Sequence, residues 1–271
     1  MPEGFSIIDS HCHLDRFFHR GELEDVLKSA REAGVDRVIT IGTNEDDWGL
    51  YEQLAAEHPG IIDYTVGLHP CNVDENWESQ VERIISFFSS SQACPVGLGE
   101  IGLDNFHLPK KDLGKAEKLK QMQQAALRAQ LDILKELDCP VVIHSRGAFE
   151  ECIEELDVAS INWDKVVFHC FVEDAEAIAA LNSRGGRGSF TGIITFKNAN
   201  SVREAALAQS VHNLMVETDA PYLAPEPFRG KPCLPAYAAL TARYCANLLD
   251  LEENELAQIT RENTESFFKL D

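Results

Sequence analysis

The stretch Ile7-Ile8-Asp9-Ser10-His11-Cys12-His13-Leu14-Asp15 runs an apolar pair into a His-x-His. On a β-strand, residues two apart point to the same face. His11 and His13 are therefore expected to project together from the end of a buried strand, where two imidazoles can hold one metal ion. Further along, other apolar runs end in a group able to ligate: Glu100, His144, His169 and Asp219. Imidazoles and carboxylates in this mixture suit two divalent ions. The histidines favour Zn²⁺ or Mn²⁺, and phosphate chemistry favours Mg²⁺. One such histidine alone reads more readily as a satisfied polar group than as a ligand. Repetition of the pattern at successive strand ends is what points to a metal site.

Those ends need a scaffold. Apolar runs predict strands at Val35–Gly42, Ile61–Gly67, Pro95–Asp104, Pro140–His144, Lys165–His169, Ser189–Phe196 and Leu214–Asp219, after the first at Ile7. Between them, apolar residues at helical spacing predict helices at Glu22–Ala33, Asp46–Glu57, Asn76–Phe88, Phe149–Leu156, Asp174–Asn182 and Ser201–Gln209. The longest helix is expected from the Lys-rich segment at Lys110 to Leu137. Pro235–Leu249 and two short helical patches, Glu252–Ile259 and Glu262–Leu270, close the chain. Strands joined by helices demand parallel pairing and right-handed crossovers. The expected fold is α/β, a (β/α)8 TIM barrel, as a single domain over residues 1–271 with extra C-terminal helices. A doubly wound sheet is the alternative, but no glycine fingerprint follows the first strand. In a barrel, strand C-termini converge on one face, which is where the ligating residues fall.

Composition sets further bounds. The chain has 271 residues, 44% of them hydrophobic, enough for one substantial core. No apolar run is long enough to span a bilayer. Met1-Pro2-Glu3-Gly4 carries no basic or apolar leader, so a cytoplasmic location is expected. The eight cysteines form no CxxC pair and read as free thiols of a reducing compartment. The formal charge is −21, with 24 Lys and Arg against 45 Asp and Glu. Taken alone this argues against a nucleic-acid partner, since phosphate binding draws on basic surface. Bound divalent ions and a few local cations can nevertheless make one cleft positive on an acidic body.

The motifs at 9–15, Gly67-Leu-His-Pro70, Gly99-Glu-Ile-Gly-Leu-Asp104, Val141-Val-Ile-His-Ser-Arg146, Val167-Phe-His-Cys-Phe171, Gly192–Asn198, Glu217-Thr-Asp-Ala-Pro-Tyr-Leu223 and Arg229-Gly-Lys231 resemble those of the TatD family of metal-dependent deoxyribonucleases, in the family's order. The resemblance implies a two-metal hydrolase of DNA phosphodiesters, a 3′–5′ exonuclease on single-stranded DNA. It gives His11, His13 and Asp219 to one ion, His144 and His169 to the second, and Glu100 to both. Arg229 and Lys231 become phosphate contacts, with Arg146, Lys197 and His69 as further substrate contacts. Three loop positions depart from the family: Val172-Glu173, Pro232-Cys233-Leu234-Pro235, and Asn105-Phe106 after Asp104. They bear on substrate preference.

In the expected mechanism Glu100 spaces the ions. Asp219 ligates and takes the proton of the attacking water. A monomer is expected, because one barrel holds the whole site. Two other classes compete. One is a hydrolase of the same barrel acting on a non-nucleic-acid ester or amide, or on an aminoacyl ester of tRNA. The other is a binding protein without catalysis, which has no need of the full ligand set.

Overall fold

The computed structural model describes residues 4–90 and 92–271, so most of the N-terminal segment read for a leader, residues 1–3, lies outside the described residues. Strands and helices alternate as β1 (Ile7–Cys12), α1 (Asp15–His19), α2 (Leu23–Ala33), β2 (Val35–Thr40), α3 (Glu45–Glu57), β3 (Ile62–Val66), α4 (Trp77–Phe87), β4 (Gly97–Asp104), α5 (Leu113–Leu137), β5 (Val141–Arg146), α6 (Phe149–Ala159), β6 (Val166–Phe168), α7 (Ala175–Arg184), β7 (Arg187–Phe190), α8 (Asn200–Ala208), β8 (Met215–Val216), α9 (Ala238–Leu249) and α10 (Glu253–Phe268). The strands form one eight-stranded sheet in the order β1 to β8. Each characterised pair is parallel. This is the topology of a (β/α)8 barrel.

The chain packs as two compact units. One comprises the residues up to Thr40, His58–Asp63 and Val167–Asp271. In it β1 lies parallel to β2, and β7 is flanked by β6 and β8. Beyond β8, Ala220 bridges in parallel to Cys12 at the end of β1. Ile7, Ile39, Phe168, Phe190, Val216 and Leu256 are fully buried here. The other unit comprises Ile41–Glu57 and Tyr64–Val166. In it β4 lies between β3 and β5, over a core that includes Trp48, Tyr64, Ile101, Leu131 and Ile143. Each such aliphatic side chain removed from water contributes roughly 1.5–3 kcal/mol, offset by the entropy of ordering the chain.

Several element boundaries differ from expectation. The long helix begins at Leu113 because the Asp112 side chain accepts the Lys115 backbone N–H and caps it. Lys110 and Lys111 precede it. The seventh strand ends at Phe190, since Thr191 accepts the N–H of Ile193 and opens a 3-10 turn over Gly192–Thr195. The two C-terminal patches are one helix, α10. Thr260 sits within it, its hydroxyl bonding back to the Leu256 and Ala257 carbonyls. The short helix α1 has no counterpart among the helices expected from sequence. All eight cysteines are free thiols, as expected. Among the described residues no helix is long and apolar enough to cross a membrane.

Candidate metal centres

In the first unit the candidate ligands are placed by main-chain bonds between β1 and the segment after β8. The Asp219 N–H donates to the His11 carbonyl at 2.8 Å, and the His13 N–H to the Ala220 carbonyl at 2.8 Å. Asp219 takes the left-handed conformation, φ 57°, which Asp tolerates better than most residues. Its Oδ1 lies 3.3 Å from His13 Nε2 and 3.7 Å from His11 Nε2. Donors 2.0–2.1 Å from a tetrahedral ion stand about 3.3–3.4 Å apart. These atoms therefore already hold ligand spacing. Burial alone would raise the Asp219 pKa. The hydrogen bond from His13 and the nearby His11 and His169 imidazoles instead hold it below the usual carboxylate range.

His169 joins the same cluster. Its ring stacks on that of His11 with centroids 4.0 Å apart, and its Nδ1 is 3.6 Å from Glu217 Oε1. Glu217 also accepts the Cys170 N–H at 2.6 Å and the Ser189 hydroxyl. It is buried, and its carboxylate lies with His11 and His169 in a group whose ligand atoms fall within 4.8 Å of one another. Asp9 contacts no imidazole nitrogen in its hydrogen bonding. Its carboxylate takes the Thr218 N–H at 2.9 Å and hydroxyl at 2.6 Å. It thus clamps the loop that carries Asp219. Burial pushes its carboxyl up to about 8 against those bonds.

The second unit holds its own cluster. β4 and β5 bring Gly102 opposite His144 and Asp104 opposite Arg146. A Cβ at Gly102 would meet the His144 carbonyl oxygen at 1.9 Å, so only glycine lets β5 approach. His144 Nδ1 lies 2.7 Å from Glu100 Oε1, and its Nε2 lies 3.0 Å from Asp104 Oδ2. A carboxylate on the far nitrogen fixes a ligand imidazole's orientation. Asp104 is thereby paired with His144. His69 Nδ1 accepts the Cys71 N–H at 3.0 Å, so the proton of a neutral ring sits on Nε2. Nε2 faces Glu100 Oε1 at 3.3 Å, as a donor rather than a ligand.

Asp104 gathers two residues that sequence reasoning did not assign. His107 donates its N–H to Oδ1 at 2.8 Å, and its Nδ1 is 2.7 Å from Oδ2. Cys71 Sγ is 3.5 Å from Oδ2. Burial alone would raise the Asp104 carboxyl, but the bonds from His144 and His107 hold it well below the usual range. Burial and Asp104 push the Cys71 thiol up to about 12. The available signal was a histidine three residues after the aspartate that ends β4.

The expected phosphate contacts Arg146, Lys197, Arg229 and Lys231 are all exposed. Arg146 lies over Phe106, itself 50% exposed, and Arg229 lies over Phe196. The lysines at the start of α5 are surface charges, with Lys118 and Lys120 paired to Glu75 and Glu151. Of the departures, Val172 is exposed. Cys233, by contrast, is fully buried and donates its N–H to the Pro221 carbonyl. It is a packing residue. Asn105 ties the loop after β4 to the Gly147 carbonyl and Glu151.

The profile of the family described as TatD related DNase matches residues 8–269. The chain belongs to that family. It is 33% identical over 268 residues to YcfH of Escherichia coli K12, named an uncharacterized metal-dependent hydrolase, covering 98% of this chain and 96% of the relative. It is 32% identical over 261 residues to a protein of Yersinia pseudotuberculosis named 3′-5′ ssDNA/RNA exonuclease TatD, covering 92% and 94%. The crystal structure of YjjV, a TatD homologue of Escherichia coli K12, superposes with a TM-score of 0.88 at 27% identity and 98% coverage of both chains. The expected (β/α)8 fold is thereby met, and so, at the coarse level, is a metal-dependent hydrolase of the TatD family.

Proposed function

We propose that this TatD-family chain hydrolyses DNA phosphodiester bonds as a 3′–5′ exonuclease on single strands, with two divalent ions. The observation that carries the reading is the ligand spacing of His11, His13 and Asp219, fixed by main-chain bonds between adjoining segments. Ligation is proposed for His11, His13, His169 and Asp219 in the first unit, and for Glu100 and His144 in the second. Bound there, a divalent ion lowers the pKa of water and polarises a phosphoryl oxygen. Asp219 Oδ1 faces both Nε2 atoms. Oδ2 is the oxygen proposed to accept the proton of the attacking water. His69 donates from Nε2 to a phosphate oxygen or the leaving group. Arg146, Lys197, Arg229 and Lys231 contact backbone phosphates. The relative named as a single-strand exonuclease supports this substrate class.

The charge of −21 favours a second reading, a non-nucleic-acid ester or amide as substrate. Digestion of end-labelled single-stranded DNA tests both. The protein is stripped with chelator and given back Mg²⁺, Mn²⁺ or Zn²⁺, beside an Asp219→Ala control. Laddering from the 3′ end, restored by metal and absent from the variant, is expected. Absence of cleavage in metal-loaded protein would move the assignment to the ester or amide.

A further inference from the structure

We propose that Cys71, Asp104 and His107 form an additional Zn²⁺ site whose occupancy draws the Asp104 carboxylate away from His144. The three donors come from neighbouring segments of one unit. Cys71 lies in the 3-10 turn Pro70–Asn72 after β3, Asp104 ends β4, and His107 lies in the loop that follows. Their donor atoms lie within 4.8 Å of one another. Sγ stands 3.5 Å from Asp104 Oδ2 and 3.7 Å from His107 Nδ1. Around a tetrahedral zinc, sulfur at about 2.3 Å and nitrogen or oxygen at about 2.0–2.2 Å put the sulfur roughly 3.6 Å from each of the others. Both sulfur distances already match. The remaining edge, Nδ1 to Oδ2, is a 2.7 Å hydrogen bond and must open to about 3.4 Å. His107 can supply that movement, because its side chain is 52% exposed and sits in a loop.

Thiolate, imidazole and carboxylate together suit zinc rather than magnesium. Cys71 and His107 are exposed, so the site is reached from solvent. The fourth position of a tetrahedral ion is left to water. None of the three residues is among the proposed catalytic ligands, and Cys71 and His107 take no part in the proposed hydrolysis. The link to the reaction runs through one atom. Oδ2 of Asp104 also holds His144 Nε2 at 3.0 Å. An ion on Oδ2 competes with that bond and loosens the orientation of His144. Only this coupling rests on the proposed hydrolysis, whereas the binding itself does not.

The test uses the full chain, stripped of metal and titrated with Co²⁺ as a spectroscopic stand-in for Zn²⁺. A thiolate ligand gives a near-ultraviolet charge-transfer band that imidazole and carboxylate ligands do not. The band is expected in the unaltered protein, lost in Cys71→Ser, weakened in His107→Gln and bleached by added Zn²⁺. A band that persists in Cys71→Ser, or none at saturating Co²⁺, would overturn the site. Excess Zn²⁺ is then expected to slow DNA hydrolysis by the unaltered protein and not by Cys71→Ser. Equal inhibition of both would overturn the coupling to His144.

Discussion

Around Asp219 the imidazole nitrogens stand 3.3 and 3.7 Å from the carboxylate. Around His144 the carboxylates close to 2.7 and 3.0 Å. The residue types are the same, but the state of assembly differs. The first cluster is held open at ligand spacing by the backbone, through the bonds that join β1 to the segment after β8. The second is collapsed into a hydrogen-bonded network of Glu100, His69, His144, Asp104 and His107. An ion entering the first cluster finds its donors near ligand spacing and has the His13–Asp219 hydrogen bond to displace. An ion entering the second must displace shared protons and part the groups that hold them. Metal affinity at the second cluster should therefore depend more steeply on pH.

The largest effect is expected at the open cluster. Asp219→Ala should cost about 10²–10⁴-fold in single-turnover hydrolysis and remove the ion held by His11 and His13. Elemental analysis alongside the kinetics checks both, and retention of rate and metal together would end the distinction between the clusters. Next, Glu100→Gln should lower metal content by at least the ion at the second cluster. Equal depletion of both would show that they assemble as one. Asp104→Asn keeps the shape but weakens the hold on His144 Nε2. Affinity at the second cluster should fall on the order of 10–100-fold, measured by competition with a chelating dye, with the first cluster unchanged. Smallest is the effect of Arg229→Ala or Lys231→Ala. Each should reduce the salt dependence of single-strand binding by about 0.7 in the log–log slope for every phosphate no longer neutralised, with metal content untouched.

Much of the scaffold is legible in the chain because buried parallel strands read as short apolar runs. Ile7-Ile8 and Val141-Val-Ile143 need no partner in view to be recognised. The His-x-His likewise predicts its own pairing. What the chain hides is contact between distant segments. Nothing around Asp9 in the sequence points to Thr218, 209 positions away, whose hydroxyl its carboxylate accepts. Cys233 reads as a loop residue facing substrate, yet it is buried against Pro221. His107 reads as incidental until β4 ends and turns it back on Asp104. The strand at Ser189–Phe196 is overextended in sequence because its second half is equally apolar. The hydroxyl of Thr191, which ends it, reports its role only once the turn is formed.

The glycines beside the second cluster carry a consequence for altering the protein in the laboratory. A Cβ at Gly67 would sit 2.6 Å from the Gly99 main chain, and one at Gly102 would strike the His144 carbonyl. Any side chain there pushes Glu100 or His144 out of register before it can offer new chemistry. A mutational library spread evenly over the chain would spend those positions on unfolded or metal-free variants. Diversity placed at Val172, Glu173 and Phe106 instead leaves the ligand frame intact. Those loops are where a member of this family has room to acquire a different substrate.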